Sequence, residues 1–157
     1  MNDISKDVVV EMGKMEVASS PDRLVTSGIG SCIVITLYDP VRKRGALAHT
    51  MLPRIEESRM NTNPFKFTDY AVEEMVRRMR ASGSRVGDLE AKIVGGADMF
   101  PSIGHSSMSV GEENVLAAKE RLRKEGVGLA GEVVGGSVGR SVVFDTASGI
   151  VTVRMKI

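Results

Sequence analysis

Short runs of β-branched residues, each stopped by Gly, Pro, Asp or Ser, recur along the chain, and only two segments replace that rhythm with a helical period. Residues 8–12, 14–18, 32–38, 45–52, 89–94, 129–134, 141–144 and 150–155 read as strands, about eight in all. Residues 39–44, an Asp-Pro turn, join two of them into a hairpin, and 145–149 join the last two. In the first helical segment Val72, Met75, Val76 and Met79 fall at i, i+3, i+4 and i+7. Thr68 or Asp69 can cap its start, Gly83 follows its last turn, and Arg77, Arg78 and Arg80 point to water. The second covers 111–125, with Glu112 and Glu113 in its first turn, Arg121, Arg123 and Lys124 in its last, Gly126 beyond, and an apolar stripe of Val115, Ala118 and Leu122. Two sequential hairpins with two covering helices predict an α+β, or layered α/β, domain whose sheets are mixed and largely antiparallel. There is no internal repeat, and the polar stretch 54–64 reads as the longest mobile segment.

A chain of 157 residues is one domain's worth, expected to span 1–157, and buries roughly 70% of its unfolded surface without a disulfide or metal staple. Hydrophobic residues make up 42% and charged residues 26%, and 21 Lys+Arg stand against 20 Asp+Glu. Near neutrality argues against a nucleic-acid binder, whose affinity rests on many phosphate-neutralising cations. One cysteine excludes an intramolecular disulfide framework and a cysteine-only metal site. The first residues are too acidic for a secretory signal, and no stretch approaches the ~20 apolar residues of a membrane helix. A soluble, cytoplasmic protein without membrane insertion is the expectation. The ten methionines, scattered through strand and helix patterns, read as adaptable core filler.

Chemistry is concentrated in 25–32. Gly28 and Gly30 permit backbone angles closed to other residues, so the loop can turn the N–H of Ser31 or Cys32 toward a bound carbonyl; it can equally be a tight turn. It lacks the endings of a phosphate-binding loop. If Tyr38 pairs with Gly45 in the hairpin, Cys32 and His49 project from one face as diagonal neighbours, ~7–8 Å apart; a register slipped by two sets them directly opposite, at ~5 Å. Either spacing lets the imidazole raise the thiolate fraction of the thiol, a nucleophile and base pair. The alternative is a small buried cysteine beside a satisfied core histidine. His105, in a polar loop, is a second candidate base.

Residues 26–32 (Thr-Ser-Gly-Ile-Gly-Ser-Cys), 38–40 (Tyr-Asp-Pro), 45–49 (Gly-Ala-Leu-Ala-His) and 51–53 (Met-Leu-Pro) resemble the signature of the chemoreceptor glutamine deamidase family, CheD. The likeness continues through 91–100, Val110-Gly111, Asn114-Val115, Gly135-Gly136, 139–142 and 149–154. Ile29 stands where leucine is more usual in the family, and Thr50 where an apolar residue is common. The resemblance implies a layered fold similar to the catalytic domain of the cytotoxic necrotizing factors. It also implies Cys32 as nucleophile, His49 as base and Thr26 orienting the histidine through its hydroxyl or its carbonyl. The implied reaction hydrolyses receptor glutamine to glutamate and ammonia with no cofactor and no metal, the work of a protein-glutamine glutaminase, and the same steps would cleave receptor methyl esters. Implied partners are chemoreceptors and a CheC-type phosphatase, and a regulatory module acting mainly through that phosphatase is the alternative. A different thiol hydrolase or a redox-sensing cysteine protein is a third reading. Gly28, Gly30 and Ser31 are expected to support the oxyanion, while 54–64 and Gly95, Gly96, Ala97, Met99 and Phe100 are expected at the substrate rim.

Overall fold

The computed structural model describes residues 4–57, 63–99 and 108–156. Two sheets lie face to face, with both helices on the outer face of the larger one. The five-stranded sheet runs in the order β2 (Lys14–Ser19), β5 (Arg44–Thr50), β4 (Ile33–Asp39), β6 (Glu90–Gly95), β7 (Gly128–Val134). The four-stranded sheet runs β1 (Asp7–Val9), β3 (Arg23–Ile29), β8 (Arg140–Asp145), β9 (Val151–Met155). Pairing is antiparallel except for β1 with β3 and β6 with β7, so the expected mixed, largely antiparallel α+β architecture is what the chain adopts.

Two cores explain the composition of β4. Its odd residues Ile33, Ile35 and Leu37 pack with Ala46 and Ala48 of β5 under the helices α1 (Thr68–Ala81) and α2 (Val110–Glu125). Its even residues Val34 and Tyr38 face Leu24, Ile29, Val142 and Phe144 of the other sheet, together with Leu47. Every residue of β4 is therefore buried, which is why 33–38 are apolar without alternation apart from Thr36. Burial of Val72, Met75, Val76 and Met79 holds α1 in place, at ~1.5–3 kcal/mol for each large side chain. The expected caps differ at one end: Phe67 precedes α1, and Asp69 sits in the first turn, where its Oδ1 accepts from the N–H groups of Ile55 and Tyr70. Ser109 caps α2 and Gly126 closes it.

Two expectations are corrected. Residues 23–29 form a strand, paired with both β1 and β8, although Ser27 and Gly28 made the segment read as loop. A bulge between Thr26 and Ile29 absorbs the glycine: Leu24, Thr26 and Ile29 are buried, while Ser27 and Gly28 are exposed. Among the described residues, methionine is not mainly core filler. Met15, Met75 and Met79 are buried, but Met12, Met99, Met108 and Met155 are exposed.

Candidate active site

The hairpin register settles the face on which the chemistry sits. Tyr38 pairs with Gly45 and Val34 with His49, so Cys32, a bend residue immediately before β4, stands diagonally across from His49, facing the layer between the sheets. From the opposite sheet, β3 presents Thr26 into the same layer, and its Oγ1 lies 2.8 Å from His49 Nδ1. The hydroxyl, and not the backbone carbonyl, is thus the group that meets the imidazole. His49 is 1% exposed, its Nε2 has no hydrogen-bond partner, and burial holds its pKa down to about 4. Cys32 is partly buried. Loss of solvent pushes its thiol pKa up, opposed by the residue's own backbone N–H. Burial thus disfavours the charged form of both groups, the imidazolium and the thiolate.

Cys32 Sγ donates to Met12 Sδ at 3.4 Å, and no hydrogen bond joins it to His49. Met12, half exposed, reaches this place because the N–H of Gly13 donates to the His49 carbonyl at 2.7 Å and β2 pairs along β5. No local pattern announces this contact, since it follows from the pairing of strands distant in sequence.

The loop from Gly30 to Cys32 is clamped from behind. The Gly30 carbonyl accepts from Ala97 N at 3.0 Å, the Ser31 carbonyl from Asn114 Nδ2 at 3.0 Å, and the Cys32 carbonyl from Gly96 N at 2.9 Å. Gly28 adopts φ +69°, as a left-handed turn requires, whereas Gly30 does not have positive φ. Its lack of a side chain instead accommodates Met99, whose Cγ would lie 3.3 Å from a Cβ at position 30. Gly95, Gly96 and Ala97 are buried, so of the residues expected at the rim they lie behind the loop, and Met99 is exposed beside it. Arg54 pairs with Glu120 of α2 and Ile55 with Asp69 of α1, which sets the described start of 54–64 against the helices. Phe100 and His105 lie outside the described residues.

Besides Met12, two residues without an expected role are brought to this end of the molecule. Asn114 of α2 is fully buried. Arg140, opposite Ile29, is buried in the layer between the sheets; its Nη2 donates to the Gly135 carbonyl at 2.7 Å, and its Nε and Nη1 have no partner. Among the described residues no group of three or more His, Cys, Asp or Glu could hold a metal ion, and no helix is long and apolar enough to cross a membrane.

A buried imidazole in contact with a hydroxyl between two sheets, with a thiol at the head of the neighbouring central strand, is the candidate site of this α+β protein. The CheD chemotactic sensory transduction family matches residues 51–155, two thirds of the chain. A protein of Methanosarcina acetivorans named as a chemoreceptor glutamine deamidase, CheD 1, is 41% identical over 147 residues, 94% of this chain and 91% of its own. One of Syntrophomonas wolfei named as a chemoreceptor glutamine deamidase CheD is 40% identical over 152 residues, 96% of this chain and 94% of its own. The chain belongs to the CheD family. Among solved structures, the Bacillus licheniformis protein YfiH aligns with 78% of this chain and 49% of its own at 15% identity and a TM-score of 0.43, so this chain spans about half of it.

Proposed function

We propose that this protein is a chemoreceptor glutamine deamidase in which Cys32 is the nucleophile, His49 the general acid and base, and Thr26 the group that orients the imidazole. The observation that carries the reading is the Thr26 Oγ1 to His49 Nδ1 contact of 2.8 Å, which leaves Nε2 unpartnered on the face that Cys32 shares. With the Nδ1 proton donated to Thr26, the Nε2 lone pair is the base. A neutral histidine suits this role, because it accepts the thiol proton as attack begins, and such contacts commonly tighten only when substrate is bound.

Cys32 Sγ bonds to the carboxamide carbon, its proton passes to Nε2, and the carbonyl electrons move onto oxygen. The Cys32 N–H, with Ser31 and the turn at Gly28 supporting it, is the donor for that oxyanion. The imidazolium protonates the amide nitrogen, ammonia leaves, and a thioester remains. His49 then takes a proton from water, the resulting hydroxide equivalent adds to the thioester, and collapse expels the thiolate, which recovers the proton, leaving glutamate. None of these steps requires a cofactor. A receptor methyl ester would follow the same course with methanol leaving. Names of the relatives support the substrate class, a glutamine on a chemoreceptor. A CheC-type phosphatase is the partner that the family resemblance supports, and residues 1–157 are read as one deamidase domain.

Incubation with a receptor cytoplasmic fragment should release ammonia and raise the mass of target glutamines by about 1 Da each, and Cys32→Ala should abolish both. A wild-type protein that leaves receptor glutamines intact, or a Cys32→Ala variant that still converts them, would overturn the reading.

A further inference from the structure

We propose that Asn114 is the positioning residue of the oxyanion-binding peptide, fixing the plane of the Ser31–Cys32 peptide and its distance from the histidine strand. The inference rests on the deamidase reading. Asn114 Nδ2 donates to the Ser31 carbonyl at 3.0 Å and to the Met51 carbonyl at 3.0 Å. Ser31 C=O and Cys32 N–H belong to one peptide unit, and in a planar trans peptide they point in opposite directions. The only cis bond among the described residues is Ser20–Pro21. Anchoring the Ser31 oxygen on α2 therefore turns the Cys32 N–H away from α2. The neighbouring carbonyls of Gly30 and Cys32 accept from Ala97 and Gly96, so three successive carbonyls are held on the same bracing segments. Among the described residues no backbone carbonyl accepts from the N–H of Ser31 or Cys32. Successive amides without backbone acceptors are the donors from which a turn builds an anion-binding concavity.

Met51 lies two residues beyond His49, so the second bond of the same amide ties the end of β5 to the bend that carries Cys32. One side chain thereby sets the spacing between the oxyanion donor and the strand of the base. Asn114 is a poor choice for stability alone. It is fully buried in a helix face otherwise filled by Ala117, Ala118 and Leu122, and its Oδ1 has no partner. Its place along the helix axis is tight, because a Cβ at Gly111 would lie 2.6 Å from the Ala97 carbonyl oxygen, so α2 cannot slide closer to the loop.

The test uses Asn114→Ala and the volume-keeping Asn114→Leu in the full chain, with deamidation of a receptor fragment and iodoacetamide alkylation of Cys32 measured side by side. Alkylation is a displacement at carbon that develops no oxyanion, so it reports the thiol's place and access without the hole. A lost or misdirected oxyanion donor should lower kcat by ~10–10³-fold with KM within ~2-fold and the alkylation rate within ~3-fold of wild type. A folded variant that keeps kcat within ~3-fold, a loss carried by KM, or an alkylation rate that falls in parallel with kcat would overturn the assignment. If neither variant folds, Asn114 is a determinant of the fold and the proposal fails. Absence of deamidation by the wild-type protein would instead overturn the deamidase reading itself.

Discussion

Burial of His49 sets how the site responds to pH. In the proposed mechanism the reactive form has a neutral imidazole and a protonated thiol, and burial widens that window from both sides, lowering the histidine to about 4 and raising the cysteine above its ordinary value. The expected kcat/KM profile is flat from about pH 5 through neutrality, with its alkaline limb displaced upward from that of an exposed thiol, read with a receptor fragment across that range. An acid limb near 6.5 would mean that the imidazole titrates as if exposed. Thr26 is the second half of this arrangement. Its hydroxyl is the contact, so Thr26→Val, which keeps the shape and removes the oxygen, should lower kcat by ~10–100-fold, whereas Thr26→Ser should stay within a few fold. Equal activity of Val and Ser variants would remove the orienting role. The sequence alone left hydroxyl and carbonyl open, because the segment read as loop, and only the pairing of 23–26 with β8 puts the Thr26 side chain on the buried face it shares with Leu24.

The site is made where strands end. Cys32 stands before β4, Gly95 closes β6, and the stretch leading to α2 supplies amide donors to the loop carbonyls. Gly28 and Gly95 both have positive φ, yet their surroundings differ. A Cβ at Gly28 meets nothing within 4 Å, while one at Gly95 would collide with the Cys32 carbonyl oxygen and lie 2.6 Å from Ile29 Cγ2. Gly28→Ala should therefore cost only the left-handed backbone strain, ~1–2 kcal/mol, with most activity retained. Gly95→Ala must also push the Cys32 peptide out of place, and a loss of at least ~2 kcal/mol is expected, with kcat falling further than stability explains. Denaturant unfolding and steady-state kinetics on the two variants check the contrast; comparable kinetics would show that the loop tolerates displacement. The helices were legible in detail through their 3.6-residue period and terminal charges. The strand β3 was not, since a central strand that carries Ser-Gly at a bulge looks locally like a turn.

At the scale of the whole molecule, the buried histidine links folding to pH. The unfolded chain binds a proton at His49 near 6.5 and the folded chain only near 4, so below pH 6.5 the unfolded state holds more protons. The stability present above pH 6.5 is lost as pH falls toward 4, by about 3 kcal/mol for a shift of this size. Glu74 and Asp39, whose carboxyls are held below their ordinary values of 4.5 and 3.8 mainly by hydrogen bonds to Arg77 and to Ser84 and Arg42, act lower in the range. His49 contributes its part of the slope between pH 6.5 and about 5, above the range in which those carboxyls act. Thermal unfolding at pH 7 and pH 5 should show a drop in Tm that His49→Gln removes; an unchanged drop in that variant would assign it elsewhere. Much of this protein was determined by the sequence alone: the mixed α+β class, both helices, the β4–β5 hairpin and, in either of the two registers it allowed, the shared face of Cys32 and His49. These rest on periodicity and turn chemistry, which act between residues close in the chain. Tertiary structure alone decided that Thr26 meets His49 through its hydroxyl, that Met12 contacts the thiol, that Asn114 braces the loop, and that burial disfavours the charged form of both titrating groups. Each of these depends on which distant strands and helices pack together and on how much water their packing excludes, and neither quantity is carried by any short stretch of sequence.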